Sequence, residues 1–231
     1  MSPPRIPDPR AVPVAGTDAH MPAVSSDALS ADAVRRRFGS VRDWQPEIAG
    51  DGVRRPGREV AHASVLVPLV QRPAGLQVLL TQRTDHLRDH AGQISFPGGR
   101  AEPEDADPAV TALREAQEEV GLPHDRVQVI GQMPTYTTVT SYVVTPVVAL
   151  VQPPFDLVLD SFEVAEAFEV PLAFLMNPAH HRRHLYTYEG GQRQFLSMPW
   201  SGVDAGGRPR EFFIWGATAA MLRNLYRFLA A

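Results

Sequence analysis

The sequence predicts an α/β fold, a mixed β-sheet sandwiched between helices. Three observations lead there. Short apolar runs bounded by Gly or Pro recur at 61–70, 76–83, 127–132 and 142–151, with the length and composition of strands. Two amphipathic helices interrupt them, one from Pro108 to Val120 and one starting near Gly216. At 231 residues, 44% hydrophobic and 21% charged, the chain suits one globular domain, and two would be small.

Taken in order, residues 1–28 are rich in Pro, Ala, Asp and Ser without periodicity and predict a flexible tail; residues 29–231 then form the single domain. Ser30 caps a short helix docked by Val34 and Phe38, whose Arg35, Arg36 and Arg37 read as a solvated face more readily than as a phosphate site. A loop is expected at Val53–Arg58. Residues 61–70 read as a buried strand, with Pro68 pushing its end toward a sheet edge or bulge. Gly75 turns the chain into the strand at 76–83, closing a hairpin.

Beyond the 108–120 helix come a strand at 127–132, a polar loop at 135–141 and an apolar strand at 142–151. Residues 161–172 suggest a bent strand running into a short helix. Residues 180–199 form a hairpin in which Gly190 and Gly191 supply the positive φ of a tight turn. His180, His181 and His184 precede it, and a surface position fits them better than a metal cluster. A last strand at 211–215 leads into the C-terminal helix, whose core stripe is Ala217, Ala220, Met221, Leu225 and Phe228; Trp215 is read as core packing.

The stretch Phe96–Leu122 carries the chemistry. Asp107 followed by Pro108 is a helix start, an Asx cap with Pro at the first position, and Gly121 with Pro123 is a stop. Ala109, Ala112, Leu113, Ala116 and Val120 make one apolar stripe. Glu115, Glu118 and Glu119 fall at i, i+3 and i+4, which predicts three carboxylates on one face away from that stripe. Like charges so placed repel. Either the face is solvated, or a divalent cation sits among hard oxygen ligands, for which Mg²⁺ or Mn²⁺ is suited. The glycine turn at Gly98 and Gly99 favours the cation, because it lets the backbone approach closely and offers a carbonyl as a ligand.

Gly99, Asp105, Arg114, Glu115, Glu118, Glu119 and Gly121 resemble the Nudix box, G-x5-E-x7-R-E-U-x-E-E-x-G-U. Asp105 stands where Glu is usual, eight residues separate it from Arg114 instead of seven, and Ala116 is small for its aliphatic position. The flanking residues 79–99, LLTQRTDHLRDHAGQISFPGG, with TALREA at 111–116, resemble the signature of the coenzyme A pyrophosphatase branch of Nudix hydrolases. That branch has the eight-residue spacing as its own variant. The likeness covers about 45 contiguous residues, and the IleTrpGlyAlaThr junction at the end of the chain is similar too.

The resemblance implies a Nudix-type α/β/α sandwich and a hydrolase that cuts coenzyme A or its derivatives to 3′,5′-ADP and 4′-phosphopantetheine. Glu115 and Glu119 would be principal metal ligands and Glu118 a further ligand or water-orienting group; Arg114 would pin Glu118. Arg83, Arg88 and His90 would meet phosphate or organise the fold, and Glu163 and Glu166 sit where Nudix folds add a remote carboxylate. Two alternatives stay open: another nucleoside diphosphate derivative such as ADP-ribose or a dinucleotide, or a nucleotide-binding Nudix module without catalysis.

Other function classes are bounded by composition. A formal net charge of −4 argues against nucleic acid as a generic partner. With no cysteine, disulfides, thiol nucleophiles and Cys-based zinc sites are excluded. The sequence shows neither a membrane-length apolar run nor a secretory apolar core, so a cytoplasmic setting is expected. It is silent on oligomeric state, and a homodimer stays open.

Overall fold

The apolar run beginning at Ala61 becomes the strand around which the main sheet assembles. The computed structural model describes residues 6–40, 44–52, 60–87 and 90–231. In chain order the elements are β1 (Val14–Thr17), α1 (Ala31–Phe38), β2 (Ala61–Arg72), β3 (Gly75–Arg83), β4 (Ile94–Ser95), β5 (Gly98–Arg100), α2 (Pro108–Val120) and β6 (Val127–Gln132). There follow β7 (Tyr136–Thr137), β8 (Tyr142–Val151), β9 (Val164–Pro171), α3 (Leu172–Leu175), β10 (Arg182–Tyr188), β11 (Gly191–Val203), β12 (Pro209–Trp215) and α4 (Gly216–Ala230).

Among the described residues two sheets form, one of eight strands and one of four in the order β1-β10-β11-β12. In the larger, β2 and β8 run parallel from Ala61↔Tyr142 to Val70↔Val151, while β3, β5, β6, β7 and β9 join through antiparallel pairs, so the sheet is mixed. β2 is therefore central, not an edge. Pro68 is accommodated because it falls between the β5 pairing at Ala63–Val65 and the β3 pairing at Leu69–Arg72, where no antiparallel partner asks for its missing N–H.

Alternation along the strands splits the core into two layers. Leu66, Val70, Leu79, Val147 and Ala149 meet Ala112, Ala116 and Val120 of α2 on one face. Leu69, Val78, Leu80, Val148 and Leu150 meet Met198, Ile214, Leu222 and Leu225, from the smaller sheet and α4, on the other. Each fully buried aliphatic contributes about 1.5–3 kcal/mol relative to exposure.

The expected flexible tail is corrected. Within it, residues 6–28 are folded onto the domain: β1 pairs with β10, and Ile6 and Val12 are buried with Phe195. Asp18, 2% exposed, reaches Arg223 of α4 at 3.0 Å and Arg183 of β10 at 2.8 Å. No periodicity announces this strap because it borrows its pairing and its core from elements far along the chain. The loop expected at 53–58 lies outside the described residues. The 135–141 loop contains β7, held by Tyr136↔Val144.

The histidines are corrected as well: His181 and His184 are buried, not superficial. His181 sits against the Leu175 carbonyl and Arg223, and burial holds its pKa down at about 4. His184 bridges the Val12 carbonyl and the Ser197 hydroxyl, which ties the strap to the small sheet. His180 stacks on Phe174 at 4.0 Å.

Candidate active site

The site is built where β5 meets α2. Asp107 starts the helix, its carboxylate accepting the N–H of Ala109 at 2.7 Å and of Val110 at 3.0 Å. Gly121 ends it in the left-handed region at φ 67°, and a Cβ there would press on Val158 at 2.9 Å. Between these stops Arg114 fastens the preceding loop to the helix. It reaches Asp105 at 3.1 Å, the Arg100 carbonyl at 3.1 Å and Glu118 at 2.9 Å. Its hydrogen bonds to Asp105, with the Glu102 N–H, hold that carboxyl down at about 2. Arg114 thus positions loop and carboxylates.

The three glutamates do not share one solvated face. Glu119 lies beside the apolar stripe and its side chain is 6% exposed, Glu115 is 17% exposed, and Glu118 is 60% exposed and turned to Arg114. Glu115 and Glu119, one helical turn apart, both look at the Gly98–Gly99 backbone. Gly98 N–H donates to Glu119 Oε2 at 3.3 Å, and a Cβ on Gly99 would lie 2.5 Å from the Glu115 carboxylate. Gly98 itself has Ser64 and Val65 backbone where a Cβ would go. Both glycines are required by close approach.

Burial pushes Glu119 up to about 8; Arg83 and the Gly98 N–H oppose this, while Glu163 and Glu115 add to it. Burial also raises Glu115, against the pull of Arg114. Glu119 is thus buried with only Arg83 opposite it, whereas the half-buried Glu115 has Arg114 at 3.1 Å. Arg83 comes to 3.6 Å from Glu119 and 3.9 Å from Glu163, so it acts as a counter-charge within the cluster. Among the described residues no three His, Asp or Glu side chains already converge on one point, so an ion there would take two carboxylates together with backbone oxygen. That donor set is hard and anionic, and it fits a divalent cation.

Glu166, expected with Glu163 as a remote carboxylate, is engaged by other partners. Its buried carboxylate accepts from Ala205 N–H at 2.6 Å and Arg210 at 2.9 Å, on the side of the sheet facing β12. Glu163 stays near Arg83. Arg88 lies outside the described residues. His90 adopts φ 59° and hydrogen-bonds Gln93 at 2.9 Å.

Two hollows flank the cluster. One, bounded by His62, Arg100, Glu102 and Glu115, is an open groove. The other is a cavity of about 440 Å³ entered past Arg83 and Gly98 and walled by Phe96, Val139, Val144 and Met221. Its polar groups include Asp51 and Arg193, paired at 2.6 Å. Sequence reasoning missed this pair, since neither residue belongs to a motif and only the fold brings them together.

The chain matches the NUDIX domain over residues 60–189, which takes in β2 through β10 and the acidic cluster. The chain belongs to the Nudix family. Nudix hydrolase NudL of Escherichia coli K12, whose name carries the word uncharacterized, is 42% identical over 165 residues, 71% of this chain and 80% of NudL. The corresponding protein of Shigella boydii serotype 18 matches equally. Among solved structures, the Mycobacterium smegmatis Nudix hydrolase RenU aligns at 25% identity and TM-score 0.42, over 48% of this chain and 70% of RenU. A Caenorhabditis elegans Ap4A hydrolase complex aligns at 21% identity and TM-score 0.42, over 48% and 80%. Nudix enzymes are pyrophosphatases that generally use divalent metals. No helix among the described residues is long and apolar enough to cross a membrane.

Proposed function

We propose that this Nudix hydrolase cleaves the diphosphate of coenzyme A or its derivatives to 3′,5′-ADP and 4′-phosphopantetheine. The observation that carries the hydrolytic part is the pair Glu115 and Glu119 facing the Gly98–Gly99 backbone, Glu119 hydrogen-bonded to Gly98 N–H and Glu115 packed against Gly99. The substrate is supported by residues 79–99, which run through β3 and β4 straight into that backbone.

Glu115 and Glu119, with a backbone carbonyl at Gly99, would hold Mg²⁺ or Mn²⁺, and Glu163 is the remaining carboxylate placed to assist. A cation held there supplies Lewis acidity and neutralises charge on the phosphoryl oxygens. The chain's own residues do the rest. Gly98 N–H and Arg83 orient Glu119. Arg114 fixes the loop and draws Glu118 outward, where that carboxylate can accept a proton from an incoming water. Arg83 and His90 border the phosphates.

The test is incubation of purified protein with coenzyme A and Mg²⁺ or Mn²⁺, with products read by mass spectrometry beside Glu119→Gln and an EDTA control. Both products should appear, and be absent from the controls. Loss of a principal ligand costs several kcal/mol, on the order of a thousandfold in kcat. Turnover by Glu119→Gln within a factor of a few of wild type would remove Glu119 from the ligand set. Cleavage of ADP-ribose or a dinucleotide but not coenzyme A would discard the substrate and keep the chemistry. Nucleotide binding without cleavage of any of them would favour a binding module.

A further inference from the structure

The two hollows beside the acidic cluster differ in charge, and that difference gives the substrate a direction. In the groove past Glu115, Arg100 and His62 are exposed and form no ion pair with any described residue, whereas the groove's carboxylates are engaged by Arg114, Glu115 at 3.1 Å and Glu102 at 4.0 Å. In the cavity past Gly98 the walls are mostly apolar, and each formal charge is matched. Arg193 is paired with Asp51 at 2.6 Å, and Arg83 lies beside Glu119 and Glu163. Asp51 is itself fixed, its other oxygen accepting Val139 N–H at 3.0 Å. A phosphate entering the cavity would meet the Asp51 carboxylate and no uncompensated cation, whereas phosphate recognition calls for free Arg or Lys donors. What the cavity does offer is hydrogen bonding without net charge, from Thr138 and Thr140, on apolar walls from Phe96, Val139 and Met221. Such a surface suits a neutral, amide-bearing chain.

We propose that the cavity between β7–β8, β4 and the start of α4 takes the uncharged, amide-bearing arm of the substrate, and that Arg100 and His62 face its phosphorylated nucleoside end. The inference rests on the reading of the substrate as a coenzyme A. It assigns Val139 and Thr140 as specificity-determining residues for one half of the molecule and Arg100 for the other. The scissile diphosphate then lies across Glu115 and Glu119, between the groove that Glu115 borders and the cavity mouth at Arg83 and Gly98.

The experiment crosses two variants with three substrates. These are coenzyme A, dephospho-coenzyme A (no 3′-phosphate), and the methyl diphosphate ester of 3′-phosphoadenosine (no amide arm). In Val139→Trp, which fills the cavity, the kcat/KM preference for coenzyme A over the armless ester should fall about tenfold or more. Its preference over dephospho-coenzyme A should hold. In Arg100→Gln the pattern should reverse. Thr140→Val serves as a milder cavity variant, and thermal melts confirm that each protein is folded. If Val139→Trp instead erodes discrimination of the 3′-phosphate, the substrate lies the other way round and the inference is overturned. Equal slowing of all three substrates by both variants also overturns it. A wild-type protein that cleaves the ester and dephospho-coenzyme A as well as coenzyme A, with no preference, removes the specificity roles while leaving the hydrolase intact. Cleavage of none of the three strikes the substrate reading itself.

Discussion

At the scale of single residues, Gly99 shows how a backbone position controls a side chain. Its φ lies outside the positive range, so alanine is tolerated by the backbone, yet the added Cβ would stand 2.5 Å from the Glu115 carboxylate. The flexible carboxylate must give way, not the strand. Gly99→Ala should therefore keep stability to within about 0.5 kcal/mol while displacing Glu115 by on the order of 1 Å, which costs roughly a hundredfold in rate. Thermal melts and kcat on the same preparation check both halves. An unchanged kcat would mean that Glu115 does not act from the position described. Glu118 teaches the complementary lesson. Helical spacing placed it with Glu115 and Glu119, but Arg114 at i−4 draws it outward, a competition that the spacing alone cannot decide.

At the scale of elements, α4 and the N-terminal strap are held together by a charge network rather than by a motif. Arg223 of α4 is fully buried, and it pairs with Asp18 at 3.0 Å and Glu47 at 2.8 Å; Arg227 joins at Glu47. Burial by itself would raise Glu47, but hydrogen bonds and charge from Arg223 and Arg227 outweigh it and bring the group down from 4.5 to about 2. The linkage has a definite sign. A depressed folded pKa stabilises above the unfolded value, in full above about pH 4.5, and that contribution is lost as pH falls toward about 2. Glu47 is an exposed residue, so solvent screening reduces this contribution to about 1 kcal/mol at neutral pH. Glu47→Gln should be less stable than wild type at pH 7, with the gap between the two closing as pH falls from 5 to 3 in urea titrations. A gap that stays constant over that range would show that Glu47 is not held by the arginines.

At the scale of the whole molecule, what was legible in the sequence was local. The Asp107–Pro108 start, the Gly121 stop, the Gly75 and Gly190 turns and the strands at 61–70 and 142–151 are each specified by neighbours a few residues away. Illegible were the contacts that join distant stretches: β1 on β10, Asp51 with Arg193, Glu166 with Arg210, and the histidines buried under the strap. The candidate site falls between these cases. Its ligand helix is local, but the burial that separates Glu119 from Glu118 comes from packing on the sheet. That burial makes a prediction for the molecule as a unit. A buried Glu119 is a liability of the metal-free protein, and a cation held by Glu115 and Glu119 binds the folded state alone. At a hundredfold excess over Kd it should add about 2.7 kcal/mol, a rise in Tm of roughly 5–10 °C for a chain of this size. Titrating Mg²⁺ or Mn²⁺ into EDTA-treated protein during thermal melts measures this without any substrate. Glu119→Gln should lose most of the rise and Glu166→Gln should keep it, because Glu166 serves Arg210 and the small sheet. A rise of equal size in all three proteins would place the cation elsewhere.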